Sequence, residues 1–174
     1  MDSCSASQGK YGIWIVHYSI QSNHVHLLAE VDGDVLQPSL GGVPVTELHL
    51  PGRLGMLALW KGSKSLFGMA AKRLNNRLWR RKGQVFAGRP FAESLATPRQ
   101  THNALGYVLN NGFHHEATDL AIDPYSSGKY FDGWEAPIPP PDEPPELRPV
   151  VAPRTWLLSE GWKRYGPIRF PVRE

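Results

Sequence analysis

Residues 11–30 read Tyr11-Gly12-Ile13-Trp14-Ile15-Val16-His17-Tyr18-Ser19-Ile20-Gln21-Ser22-Asn23-His24-Val25-His26-Leu27-Leu28-Ala29-Glu30. The first half is β-branched and aromatic, the composition of a strand buried on both faces. Gln21-Ser22-Asn23 is a polar turn and His24 to Glu30 predicts a second strand, so the pair forms an antiparallel hairpin. Strand alternation sends His24 and His26 to one face, about 6.6–7 Å apart along the backbone, with Val25 and Leu27 pointing the other way into a core. Two imidazoles so placed can share one divalent ion. Two histidines on a strand also commonly serve as surface or packing residues.

Working outward, residues 32–62 hold Pro38, Gly41-Gly42, Pro44, Pro51-Gly52 and Gly55, and read as a loop or insertion with at most short elements. Ser63 to Lys82 predicts a helix, because Leu66, Ala70, Leu74 and Leu78 recur at four-residue steps beside Phe67 and Ala71. Gly83 is its expected stop. Apolar pairs between Gln84 and Ala96 suit one further strand around Phe91. Thr97-Pro98-Arg99-Gln100 carries the signals of a helix start: a Thr cap, Pro at the first position and Gln three residues after the cap. That helix should run to about Asn111, with Leu105, Val108 and Leu109 facing the core and Gly112 ending it. Residues 118–174 read as a C-terminal extension with a Pro-rich linker over 137–153, and Arg154 to Tyr165 suits a short amphipathic helix. The expected fold class is α+β, an antiparallel sheet flanked by helices.

Charge is distributed unevenly. Residues 1–52 carry Lys10 against five acidic residues; residues 53–99 carry eleven basic residues against Glu93 alone, a local net of +10 within a chain of net +3. Such a run serves either as a solvated helix face or as a surface for a polyanion, whose neutralised phosphates release counterions. With 174 residues the chain can bury a core of its own. Cys4 is the sole cysteine, which excludes an intrachain disulfide and a cysteine-rich zinc site. No apolar run approaches the roughly 20 residues of a membrane span. Met1 to Lys10 lacks the blocks of a signal peptide, and a cytoplasmic location is expected.

Tyr107 and Asn111 lie four residues apart on the second helix, one turn from each other on one face. A tyrosine there can pack its ring or act as a nucleophile. Asn111 adds a carbonyl oxygen able to complete a His-His-Asn metal site beside it. Tyr11, Tyr18, Tyr125, Tyr130 and Tyr165 lack such a helix-spaced polar partner and read as packing residues.

Taken together these segments resemble a family. Gln21-Ser22-Asn23-His24-Val25-His26-Leu27-Leu28 is similar to the "NHVHLL" strand of the HUH single-tyrosine transposases, especially the REP-associated tyrosine transposases. Gly83-Gln84-Val85-Phe86-Ala87-Gly88-Arg89 resembles their "G-x-V-F-x-x-R" segment, and Tyr107-Val108-Leu109-Asn110-Asn111 falls where they have a "Y-(I/V)-x-x-N" helix. The likeness continues through residues 120–134 and Thr155-Trp156-Leu157-Leu158 with Gly161-Trp162. It implies a transposase-like domain over residues 1–117, with His24, His26 and Asn111 holding Mg²⁺ or Mn²⁺ and Tyr107 attacking a phosphate of single-stranded DNA. It further implies a 5′-phosphotyrosine, a hairpin or palindromic DNA partner held by Lys72, Arg73, Arg77, Arg80 and Arg81, and a monomer or homodimer.

The chain also departs from that pattern. Only about ten residues precede Tyr11, where the family has a strand and a helix, so the first strand is expected to be missing and a sheet edge left unpaired. Residues 33–61 are longer and less regular than the family's connection, and Pro90 occupies a strand position that needs a donor. Three other readings compete. A non-catalytic DNA-binding relic of a transposase would keep the basic helix. A three-histidine zinc hydrolase would recruit His114 or His115. A histidine-triad hydrolase would need a third alternating histidine where Leu28 stands.

Overall fold

A computed structural model describes residues 12–31, 51–86, 91–114 and 122–170, with the side chains of residues 51–60 and of residue 114 outside that description. Expectations on Tyr11, on residues 32–50, on Gly88-Arg89-Pro90 and on His115 therefore lie outside the described residues. The architecture is mixed α and β. Strands β1 (Ile13–Ile20) and β2 (Val25–Val31) pair as a two-stranded antiparallel sheet. They are followed by α1 (Pro51–Arg73), α2 (Pro98–Leu109), α3 (Asn111–His114) and α4 (Trp156–Ser159). Among the described residues no helix is long and apolar enough to cross a membrane. Two compact units result: one holds α1, the other holds residues 15–30 together with residue 94 onward.

In the first unit the helix begins earlier than the sequence suggests. Pro51 is tolerated in a first turn, where its missing N–H has no intrahelical partner, and Leu54, Met56, Leu57, Ala58 and Leu59 outweigh the propensity cost of Gly52 and Gly55. Residues 51–62 are thus helix rather than loop. At the other end the α-helix gives way to a π-helical turn over Leu74–Trp79. That wider turn takes up extra residues, so Leu78 leaves the stripe begun by Leu66, Ala70 and Leu74 and is 71% exposed. The stop is Arg80, in the left-handed region (φ 47°, ψ 40°), three residues before Gly83. The chain then folds back: Arg81 N–H donates to Asn75 O (3.1 Å), Asn75 Nδ2 donates to Gly83 O (2.8 Å), and the Phe67 and Phe86 rings meet at 4.9 Å. Among the described residues no strand forms around Phe91: residues 91–96 have no regular structure and Phe91 is exposed.

In the second unit Gln21 N–H closes the hairpin on His24 O (2.9 Å). Ile15, Val16 and His17 are consecutively buried, as a strand covered on both faces requires. On β2 the buried residues are Leu28 and Glu30, in register with His24 and His26, while Val25 and Leu27 are only half-buried. The core therefore lies on the histidine face, not opposite it. The reason is α2, whose Leu105, Val108 and Leu109 join Val16 and Leu28 there, leaving the histidines at the end of that core.

Residues from the proline-rich half complete it: Phe131, Trp134, Leu158, Trp162 and Ile168 are buried in the same cluster. Both buried indoles satisfy their N–H, Trp134 on Gly128 O (2.9 Å) and Trp162 on Leu158 O (3.1 Å). The expected helix over 154–165 is split into α4 and a 3₁₀ segment, Gly161–Tyr165. One edge of β1, expected to be bare, is occupied: Ser19 bridges Ser126, with Ile20 N–H on Tyr125 O and Ser127 N–H on Tyr18 O, both 2.9 Å.

His17 is buried against Ser127 Oγ (3.2 Å) and the edge of the Phe131 ring. Burial pushes its imidazole down from 6.5 to about 4, with the Asp132 charge opposing. The unfolded chain therefore takes up this proton below pH 6.5 while the folded one does not until about pH 4. Stability should fall by up to ~3 kcal/mol as pH drops through that window. Urea unfolding between pH 4 and 7 measures this. His17→Phe should flatten the slope, since Ser127 Oγ keeps its bonds to the Tyr18 backbone.

Candidate functional site

Thr97 starts α2 as expected: its side chain accepts from Gln100 N–H (3.2 Å) while Gln100 Oε1 accepts from Thr97 N–H (3.1 Å), with Pro98 in the first turn. This box and the buried Leu105, Val108 and Leu109 fix the rotation of the helix about its axis. Tyr107 points off the apolar face and is 48% exposed. The helix ends at Leu109 with Asn110 as its cap, and Asn111 opens the short α3 rather than closing α2. Asn111 is fully buried.

These elements bring four separated residues together. The His24 and His26 rings meet edge to face with centroids 4.8 Å apart, and the His26 and Tyr107 rings do the same at 5.0 Å. Tyr107 Oη is 3.4 Å from His26 Nε2, and Asn111 Nδ2 is 3.2 Å from His24 Nε2. Asn23 Oδ1, which can only accept, lies 2.5 Å from His24 Nδ1. The proton of His24 therefore sits on Nδ1, and Nε2 offers its lone pair to Asn111.

The remaining atom of that amide, Asn111 Oδ1, is buried and has no hydrogen-bond partner among the described residues. A buried carbonyl oxygen left so is costly, and a half-turn of the amide about χ2 exchanges it with the nitrogen facing His24. Two imidazoles, one with its tautomer set by a neighbouring carbonyl, plus a carboxamide oxygen in want of a partner form a donor set that fits a divalent ion.

Around this cluster the hairpin turn is bonded to Asp123, which packs closely on Gly112 of α3. Buried Asp123 accepts from Gln21 Nε2 and from Tyr125 N–H, each at 2.8 Å, and Gln21 Nε2 also reaches Ser19 Oγ (3.0 Å). Gly112 makes this approach possible, since a Cβ there would stand 2.4 Å from Asp123 Oδ2. Gly112→Ala should cost ~2 kcal/mol, because neither the fixed carboxylate nor the backbone beside Asn111 can yield freely. An unchanged urea midpoint would refute this.

Of the expected site residues, the structure brings His24, His26, Tyr107 and Asn111 into one cluster. Lys72, Arg73, Arg77, Arg80 and Arg81 are all exposed, on the last turn of α1, the π turn and its cap. Tyr18 and Tyr130 are half-buried as packing residues, but Tyr125 and Tyr165 are exposed, contrary to expectation. Sequence reasoning missed Asn23, which orients His24, and the pair Gln21–Asp123. Asn23 and Gln21 were hidden in what reads as an ordinary polar turn. Asp123-Pro124 carries an Asx-turn signature that could have flagged the carboxylate. Comparison of the chain with protein-family models, with curated proteins and with solved structures finds no match in any of the three.

Proposed function

We propose that this protein cuts and rejoins single-stranded DNA through Tyr107, as an HUH single-tyrosine transposase of the REP-associated type. The observation that carries the reading is the convergence of His24 and His26 with Tyr107 and Asn111, from segments more than eighty positions apart in the chain. A half-exposed phenol beside two imidazoles is open to a large substrate, whereas a tyrosine serving only to pack would be covered.

His24, His26 and Asn111 would hold Mg²⁺ or Mn²⁺, which supplies Lewis-acid polarisation of the scissile phosphate when bound. Tyr107 Oη forms the bond to phosphorus and loses its proton to water at this open site. The bond from phosphorus to the 3′-oxygen breaks, and that oxygen takes up a proton to leave as a 3′-hydroxyl. A 5′-phosphotyrosine keeps the ester energy, so an incoming 3′-hydroxyl can reverse the step and restore the phenol. Edge contact with His26 holds the Tyr107 ring at the histidine pair, and the capping box of α2 keeps it there. The exposed arginines of the π turn suit the DNA backbone.

The test is to incubate the protein with end-labelled hairpin DNA from the flanks of its own gene and Mn²⁺, then resolve the products on a denaturing gel. A covalent adduct that EDTA abolishes is expected. A shifted band on a native gel without any adduct would assign DNA binding alone and sink the catalytic reading.

A further inference from the structure

We infer that Trp79 is a stacking platform for an unpaired base, set within the arginines that take the flanking phosphates. The inference rests on the reading above for the identity of the nucleic acid as single-stranded DNA; the platform itself is argued from the geometry of the π turn. Trp79 ends that turn and is 47% exposed, next to Leu78 at 71%. The turn has no buried residue, so packing does not explain an indole there.

Its surroundings are built rather than loose. Arg80 takes the left-handed conformation, and the return of Arg81 N–H to Asn75 O, with Asn75 Nδ2 on Gly83 O, folds residues 80–83 back over the turn. That fold-back sets the Arg81 guanidinium 4.4 Å from the centre of the Trp79 ring. A cation over one ring face draws on the same π system that a base would use. The exposure that remains leaves indole surface for such a base.

The charge around it selects the partner. Residues 53–92 contain no acidic residue, and Lys72, Arg73, Arg77, Arg80, Arg81 and Lys82 are all exposed on the end of α1 and the turn. Cations alone would suit any polyanion; an open indole among them adds a contact that only a nucleic acid with unstacked bases can use. Duplex DNA hides its base faces and heparin has none.

The experiment measures equilibrium binding of the full chain, without divalent metal, to a labelled single strand, to the same sequence as a duplex, and to heparin, across a salt series. Trp79→Ala should weaken single-strand binding about tenfold, while leaving heparin binding and the salt slope unchanged. Trp79→Phe should recover most of the loss. Arg77→Gln should instead weaken all three ligands and lower the single-strand salt slope by about 0.7. Equal loss on all ligands with Trp79→Ala, no loss on the single strand, or no rescue by Trp79→Phe would each overturn the platform. Because no cleavage is read, failure here is separable from failure of Tyr107 chemistry. A chain without adduct whose single-strand affinity still depends on Trp79 refutes the strand transferase and keeps the platform.

Discussion

On the proposed strand-transfer reading, Tyr107→Phe should yield no covalent protein–DNA adduct under conditions where the unchanged protein is expected to form one, a loss of at least about 10³-fold. The size of the effect follows from removing the attacking atom, with little else disturbed. The ring is anchored by its edge contact with His26 at 5.0 Å, which phenylalanine retains, and α2 is held by Leu105, Val108 and Leu109. Folding and single-strand affinity should therefore stay within experimental error, which separates loss of chemistry from loss of structure. His24→Ala should also suppress the adduct, but less selectively, because it removes the partner of Asn111 Nδ2 as well. An undiminished adduct with Tyr107→Phe would move the nucleophile elsewhere, and the exposed Tyr125 would be the first position to check by peptide mapping of the adduct.

How far the sequence carried these conclusions differs by element. The hairpin and α2 were legible because their signals are local: β-branched runs, a polar turn, and the Thr97-Pro98-Gln100 start. The four clustered side chains were legible as residue types, and as neighbours chiefly through the family resemblance, since spacing along a chain says nothing about the packing of α2 on β2. The face of β2 that becomes core was read the wrong way round. Alternation defines two faces and leaves open which one a later helix covers; Leu28 and Glu30, not Val25 and Leu27, are the buried pair. The π turn was unreadable for a related reason, because Leu74 and Leu78 keep a four-residue spacing that an α-helix would have used. The proline-rich half hid its contribution most completely. Prolines and polar residues between Phe131, Trp134, Leu158 and Trp162 break every period by which a core is recognised.

Glu30 is one of several ties between that half and the hairpin, beside the bonds of residues 125–127 and Val151 to β1, and Glu30→Ala should cost about 3–4 kcal/mol of folding stability. Glu30 ends the buried register of β2, two residues beyond Leu28, and is itself only 7% exposed. Its oxygens accept from Arg154 N–H at 2.9 and 3.0 Å, from Thr155 N–H at 2.7 Å and from Thr155 Oγ1 at 2.7 Å. Hydrogen bonds to a charged acceptor contribute more than neutral ones, and alanine withdraws that acceptor from two main-chain donors at once. Thr155 leads directly into α4, which delivers Leu158 and then Trp162 to the core, so the loss spreads beyond the four bonds. Glu30→Gln keeps one oxygen in place and should cost roughly half as much. Guanidinium unfolding of the two variants at constant pH measures both. Adduct formation per folded molecule should be unchanged in each, because Glu30 lies six residues from His24 and makes no contact with Tyr107 among the described hydrogen bonds. If Glu30→Ala unfolds at the same midpoint as the parent, the carboxylate adds nothing to what the aromatic core and the bonds of residues 125–127 and Val151 to β1 already hold. If it unfolds early but also loses the adduct in the folded fraction, the carboxylate is setting the position of β2 as well as securing residues 154–155.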